Sequence, residues 1–290
     1  MNLWKQRSRA SSEIESGGKA PYTHSKLLAK QQKGSISPQK KLAIFILSLI
    51  LSLYILRLTV FAPHARFVII LASNQGGGVM NWKGPQEWAI EKHSIRNKRE
   101  YAKRHGYELA VKDMSMRKKY AHEWRESWEK VDTIKETMRQ FPHAEWFWWL
   151  DLGTYIMEPS ISLERHIFNR LEDATYRNLS TSFNPLKITN DLPYVTFSGP
   201  GSEINMVVPQ DCGGFNLGSF FIKRSEWSER LLDIWWDPVF YEQKHMEWDH
   251  KEQDAFENLY RTQPWIRSGT AFIGNRKINS FPPGMLSAIK

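Results

Sequence analysis

A lone carboxylate at the end of an apolar run is the residue of this chain best placed for chemistry. Trp146-Phe147-Trp148-Trp149-Leu150 leads into Asp151-Leu152-Gly153-Thr154, which reads as a fully buried strand ending in a turn. In open α/β sheets ligands bind beyond the carboxyl ends of the strands, so Asp151 can face a metal or a substrate. The rival reading is an Asp that only caps the turn. Ser73-Asn74-Gln75-Gly76-Gly77-Gly78 follows another apolar run, and its glycines let the backbone approach a ligand closely. The spacing is neither GxGxxG nor GxxxxGK[ST], so neither a dinucleotide fingerprint nor a P-loop is supported. Asp211, Gly213, Gly214 and Asn216 sit in a turn that would present backbone amides and carbonyls to a polyol. Glu252, Gln253 and Asp254 open a helix, where the macrodipole favours charged carboxylates and where a carboxylate can face a pocket. Plain capping and solvation explain that trio equally well. Cys212 is the only cysteine, so no intrachain disulfide can form, and a structural thiol is commoner than a nucleophile.

The elements that must hold these residues follow from periodicity. Residues 66–72 (RFVIILA) and 107–111 read as strands, and Pro85–His105 as a helix with Pro85 in its first turn and Gly106 just past its end. Trp124, Trp128, Val131 and Ile134 recur at helical spacing, which predicts a helix over 124–140 stopped by Pro142 and reads these aromatics as core. With the strand at 146–151 the order is β-α-β-α-β, which points to an α/β sandwich with a largely parallel sheet. Beyond Gly153, a short strand at 156–159 and a helix at 163–171 are expected, then a polar loop over 177–202 rich in proline. Strands near 205–208 and up to Ile222, a helix over 226–236 and a helix opening at His250 complete the body.

Charge and hydropathy divide the 290 residues. The net charge is +9, but residues 1–41 carry nine Lys/Arg against Glu13 and Glu15, which leaves only +2 for the rest. That asymmetry argues against a nucleic-acid surface on the body and for a basic tail beside a membrane. Residues 1–39 lack apolar periodicity and read as disordered. The run from Leu42 to Leu56, extended through Arg57 to Ala62, matches the roughly 20 residues needed to cross a bilayer. No small-residue cleavage site follows it, so an uncleaved signal anchor over 42–62 is expected. Lys40 and Lys41 on its N-terminal flank imply a cytoplasmic tail and a luminal body over 63–290. Asn178-Leu179-Ser180 would then lie where a sequon can be glycosylated.

The ordered segments ASNQGGG, SIRNKREYA, YAHEWRESWEKVDTI, WFWWLD, IMEPSISL, PQDCGGFNLGSFFI, HKEQDA and RKINSFPPG together resemble fungal members of glycosyltransferase family 34. The likeness is nearest to the α-1,6-mannosyltransferases of the Golgi mannan polymerase complex, with α-1,2-galactosyltransferases next. It implies a GT-A-like fold, a Rossmann-like mixed sheet flanked by helices, behind a single transmembrane helix. It also implies GDP-mannose as donor, retention of configuration, and Mn²⁺ bridging the diphosphate as a Lewis acid. Asp151 matches the first acid of the family's DxD metal motif, while Gly153 stands where a second acid is common. By the same likeness Ser73 and Asn74 line the nucleotide pocket. Asp211, Gly214 and Asn216 lie near the sugar, and Glu252, Gln253 and Asp254 face the reacting centre. The implied acceptor is a glycan on a mannoprotein, and the implied setting is a hetero-oligomeric complex in the Golgi membrane. Family members continue to a further His motif, whereas no His follows His250 here, so the domain is expected to be incomplete at its C-terminus. UDP-galactose as donor, or a non-catalytic role in a transferase complex, are the other readings.

Overall fold

The computed structural model describes residues 37–60, 65–73, 84–113, 128–179, 183–189, 203–244 and 246–281, apart from the side chains of 55–60, 73, 113 and 240. The expected disordered tail before residue 37, Asn74 with its glycine loop, Trp124, Ser180 and the stretch after 281 lie outside the described residues. Two compact units emerge, Met1–Ala62 and Pro63–Lys290.

In the first unit, Pro38–Val60 forms one 23-residue helix, α1. The apolar run makes a helix as expected, yet no helix among the described residues is long and apolar enough to cross a membrane. Lys40 and Lys41 occupy the first turn of α1, and a mostly apolar run from Leu42 to Tyr54 follows. Those side chains are exposed, Leu47 by 71%.

The second unit is a mixed sheet with helices on both faces. β1 (Phe67–Ser73) pairs in parallel with β2 (Glu108–Asp113) on one side and with β3 (Trp146–Leu150) on the other. α2 (Pro85–His105) and α3 (Glu129–Gln140) make the two crossovers. α2 starts on a proline and ends on Gly106, whose φ of 71° is the left-handed cap that suits glycine. After β3 come the short helices α4 (Leu163–His166) and α5 (Leu171–Ala174), separated by a 3₁₀ turn, and then β4 (Thr175–Tyr176). Residues 156–159 form no strand. The single helix expected over 163–171 is therefore broken, because Ile167 leaves helical geometry with ψ at −58° and φ at −135°.

β5 (Met206–Asp211), β6 (Gly214–Phe215) and β7 (Ser219–Lys223) follow, and then the helices α6 (Glu226–Trp235), α7 (Pro238–Lys244), α8 (Glu252–Thr262) and α9 (Pro264–Gly269). β8 (Thr270–Ile273) and α10 (Asn275–Ile278) end the described chain. The strand order is β2-β1-β3-β7-β5-β8-β4, with β6 pairing β5. β7 runs antiparallel to both β3 and β5, which corrects the largely parallel sheet read from the sequence. The cause is connection length. Only the turns around Asp211 to Gly218 join β5 to β7, too few residues for the crossover that a parallel pair needs.

β3 lies between β1 and β7 and is buried on both faces, which explains its unbroken aromatic run. Period-two alternation still operates within it. Phe147 and Trp149 belong to the core containing Val131 and Ile134 of α3, Leu231 and Trp235 of α6, and Phe256 of α8. Trp146, Trp148 and Leu150 belong to the opposite core, with Tyr101 of α2 and Leu163 of α4. Asp151 is next in the alternation. It falls on the face of Trp149, toward α3 and α8.

Candidate functional site

The carboxyl end of β3 opens onto a cavity of about 300 Å³ lined by Lys130, Asp151, Asn216, Leu217, Gly218 and the segment from Asp249 to Gln253. Its centre is a buried ammonium. Lys130 stands on the apolar side of α3 beside Val131, and its Nζ is 2.8 Å from Glu252 Oε1 and 3.8 Å from Asp151 Oδ1. The same Nζ donates to the Leu217 carbonyl at 2.9 Å and lies 5.2 Å from the centre of the Trp149 ring. Burial by itself lowers a lysine pKa, but Glu252 and Asp151 outweigh it and hold Lys130 above its ordinary value. One positive charge thus ties together two carboxylates far apart in the chain, one at the end of β3 and one at the start of α8.

Asp151 is set from three sides. Its backbone N–H donates to Gly218 O at 2.8 Å, and Trp149 Nε1 donates to its Oδ1 at 2.6 Å. Its own carbonyl accepts from the Thr154 hydroxyl at 2.7 Å. α2 then clamps the following turn: Ser94 Oγ donates to Leu152 O at 2.6 Å, and Lys98 Nζ donates to Ser94 Oγ at 2.8 Å and Thr154 O at 2.5 Å. Lys98 has no exposed surface, and burial lowers its pKa to about 8, against the opposing pull of Asp151.

Asn216, held from behind by Asp211, forms the facing wall. Asp211 Oδ1 accepts from Gly213 N at 2.8 Å, and its Oδ2 accepts from Asn216 Nδ2 at 2.6 Å. This leaves Asn216 Oδ1 turned to the Gly218 N–H at 3.0 Å. The backbone at Gly218 passes close to the side chains of Asn216 and Asp151. A Cβ on it would stand 3.1 Å from Asn216 Oδ1 and 3.2 Å from Asp151 Oδ2.

Asp151, Asn216, Glu252 and Gln253 therefore meet at one cavity, Gln253 with its Oε1 accepting from Leu217 N at 3.1 Å. Three other residues singled out in the sequence lie behind it. Asp211 supports Asn216 without lining the cavity. Asp254 Oδ2 accepts from His250 N at 2.8 Å and so caps the turn before α8. Gly214, at φ 132°, packs against Glu257 Oε1 and Leu186, each 2.8 Å from where its Cβ would be. Ser73 closes β1 opposite Asp113, and its side chain lies outside the described residues. Cys212 is exposed on the turn between β5 and β6.

Lys130 and Gly218 were not singled out in the sequence. A lysine beside Val131 and two residues after Trp128, on the face that Ile134 and Met138 bury, was the available signal for the first. Lys251 was missed as well. Its φ of 55° with ψ of −111° is costly for a residue with a Cβ and sits on the cavity rim.

Glu257, one turn beyond Gln253, supports the β5–β6 turn through the Phe215 N–H at 3.1 Å. Burial pushes it up from 4.5 to about 7, helped by Asp254 and opposed by that hydrogen bond, Arg261 and His250. Between those two values the folded chain holds a proton that the unfolded chain has released. Stability is therefore expected to fall as pH rises through this window. Glu257→Gln should flatten that slope, read as a smaller difference between melting temperatures near pH 5 and near pH 8.

The chain is similar to known proteins. The model of the galactosyl transferase GMA12/MNN10 family matches residues 63–288. The probable alpha-1,6-mannosyltransferase MNN10 of Saccharomyces cerevisiae is 62% identical over 222 residues, covering 77% of this chain and 56% of that protein. An uncharacterized alpha-1,2-galactosyltransferase of Schizosaccharomyces pombe is 49% identical over 248 residues, covering 84% of this chain and 70% of that protein. The chain thus spans little more than half the length of the first of these relatives. A crystal structure of a glycosyltransferase involved in the glycosylation of the major capsid of PBCV-1 aligns with a TM-score of 0.47 and 16% identity, covering 72% of this chain and 81% of that one.

Proposed function

Because the chain belongs to the galactosyl transferase GMA12/MNN10 family, we propose that it transfers mannose from GDP-mannose, in α-1,6 linkage and with retention, to a mannan-type glycan. The observation that carries this reading is the meeting of Asp151, Asn216, Lys130, Glu252 and Gln253 at one cavity beyond the end of β3. A retaining transfer builds positive charge on the anomeric carbon and negative charge on the departing diphosphate. Glu252, held in place by Lys130, is the carboxylate that offsets the first. Lys130 offsets the second, and the Gln253 and Asn216 amides orient sugar hydroxyls.

A divalent cation fits beside Asp151, with limits. Asp151 Oδ2 and Asn216 Oδ1 flank the hollow that a Cβ on Gly218 would fill, and both are hard oxygen donors suited to Mn²⁺ or Mg²⁺. Among the described residues no group of three His, Cys, Asp or Glu gathers to hold a metal. Asp151 and Asn216 would hold the cation from the protein side, and the donor's phosphates and water would supply the rest, as is usual for cations that accompany a nucleotide. When bound, the cation supplies Lewis-acid neutralisation of the leaving diphosphate.

The same reading anchors the chain in the Golgi membrane through the segment that contains α1, with the body in the lumen beside partner transferases. Its support is the family likeness and the exposed apolar side chains of α1. UDP-galactose is the second donor to consider, because a relative 49% identical is named a galactosyltransferase.

The test offers the purified chain GDP-mannose or UDP-galactose, Mn²⁺, and an α-mannoside acceptor, and reads product linkage and anomer by NMR. An α-1,6-mannosyl product is expected. Galactosyl product would replace the donor assignment. Absence of transfer and of donor hydrolysis with either nucleotide, while GDP fails to bind, would overturn the function.

A further inference from the structure

The turn that follows Asp151 ends in an aromatic ring that is both exposed and held still. Tyr155 is 41% exposed, yet its hydroxyl donates to Ile90 O of α2 at 3.1 Å, and Lys98 Nζ lies 5.6 Å from its ring centre. The backbone on both sides of it is fixed to α2 as well. Thr154 O accepts from Lys98, while Asn97 donates to Ile156 O at 3.0 Å and accepts from Ile156 N at 2.8 Å. Here a lysine and an asparagine of α2 are committed to presenting one ring to solvent.

We propose that Tyr155 is a platform for the acceptor glycan, stacking against a hexose one or two units removed from the hydroxyl that reacts. This inference rests on the transferase function proposed above. Tyr155 lies four positions after Asp151, so their Cα atoms are at most about 14 Å apart, within the span of a short oligosaccharide. A hexose presents a face of C–H groups with hydroxyls around the rim. That pattern matches a tyrosine, apolar in its ring and polar at its tip. Because the ring is already immobilised, binding costs little further side-chain entropy. Met157, two residues on, is 81% exposed.

The experiment measures binding of GDP, methyl α-mannoside and α-1,6-linked mannotriose by calorimetry, and their use in transfer, for the full chain and for Tyr155→Ala and Tyr155→Phe. Tyr155→Ala is expected to weaken mannotriose about tenfold, in Kd and in KM, the size of one aromatic contact. GDP and methyl α-mannoside should stay within about twofold, because neither reaches the ring. Tyr155→Phe, which keeps the ring and loses the anchor to Ile90, should bind mannotriose nearly as the parent does. Unchanged mannotriose binding in Tyr155→Ala would overturn the platform. So would equal losses in Tyr155→Phe, or parallel losses for all three ligands, since both would mark the residue as a brace of the turn. A parent chain that fails to bind GDP would instead refute the transferase reading, and this inference with it.

Discussion

Replacing Lys130 by methionine is expected to lower stability by about 3–5 kcal/mol and to abolish transfer, because it leaves Glu252 buried without its counter-charge. Side-chain exposure is 7% for Lys130 and 6% for Glu252, so water cannot take over the role of the ammonium. The Leu217 carbonyl loses its donor in the same step. For a body of this size the loss corresponds to a fall in melting temperature on the order of 10 °C. The double variant Lys130→Met with Glu252→Leu separates the two effects. Apolar side chains of similar volume can replace a buried pair with little cost, so stability should largely return. Activity should not, because the cavity then has neither the cation nor the carboxylate. Thermal unfolding and mannosyl transfer, measured on both variants, check this. A single variant that melts with the parent would show that the ion pair contributes nothing.

How far the sequence revealed this arrangement depended on the physical signal each part carries. β3 was legible because a strand buried on both faces must be apolar throughout, and WFWWL leaves no other economical reading. α2 was legible at both ends, since Pro85 and Gly106 act locally through backbone geometry. The direction of β7 was not, because an apolar run looks the same in either sense, and only the brevity of the turns after β5 fixes it. Asp151, Glu252, Gln253 and Asn216 were found because carboxylates and amides beside apolar elements stand out by type. Their neighbours Asp211 and Asp254 stand out equally, yet the structure uses them to hold Asn216 and to cap α8. Residue type alone cannot separate a group that lines a cavity from one that braces it. Lys130 was missed for the opposite reason. On an amphipathic helix rich in charge, a lysine reads as solvated edge until its partners, one just past β3 and the other at the start of α8, are brought against it. Gly218 was likewise unreadable, because the close approach there is created by Asn216 and Asp151 and not by its own φ.

Asp151→Asn is expected to reduce kcat by about 10²–10³ while leaving the fold intact, a loss typical of removing one preorganised charge from a reacting centre. The substitution preserves shape. An amide oxygen can still accept from Trp149 Nε1, and the bonds to Gly218 O and from the Thr154 hydroxyl use the backbone of residue 151. The new amide N–H group points to the hollow by Gly218, where Asn216 Oδ1 can accept from it. Lys130 keeps its closer partner, Glu252, at 2.8 Å. Stability should therefore change by less than about 1 kcal/mol, in contrast to the Lys130 variant. What is lost is the one carboxylate oxygen facing that hollow, so the Mn²⁺ concentration giving half-maximal rate should rise along with the fall in kcat. Gly218→Ala gives an independent check, since its Cβ would enter the same hollow without altering any charge. If Asp151→Asn kept full activity and the parent's response to Mn²⁺ while Gly218→Ala lost activity, space and not charge would be what Asp151 provides. Equal retention of activity in both variants would remove the hollow from the reaction altogether.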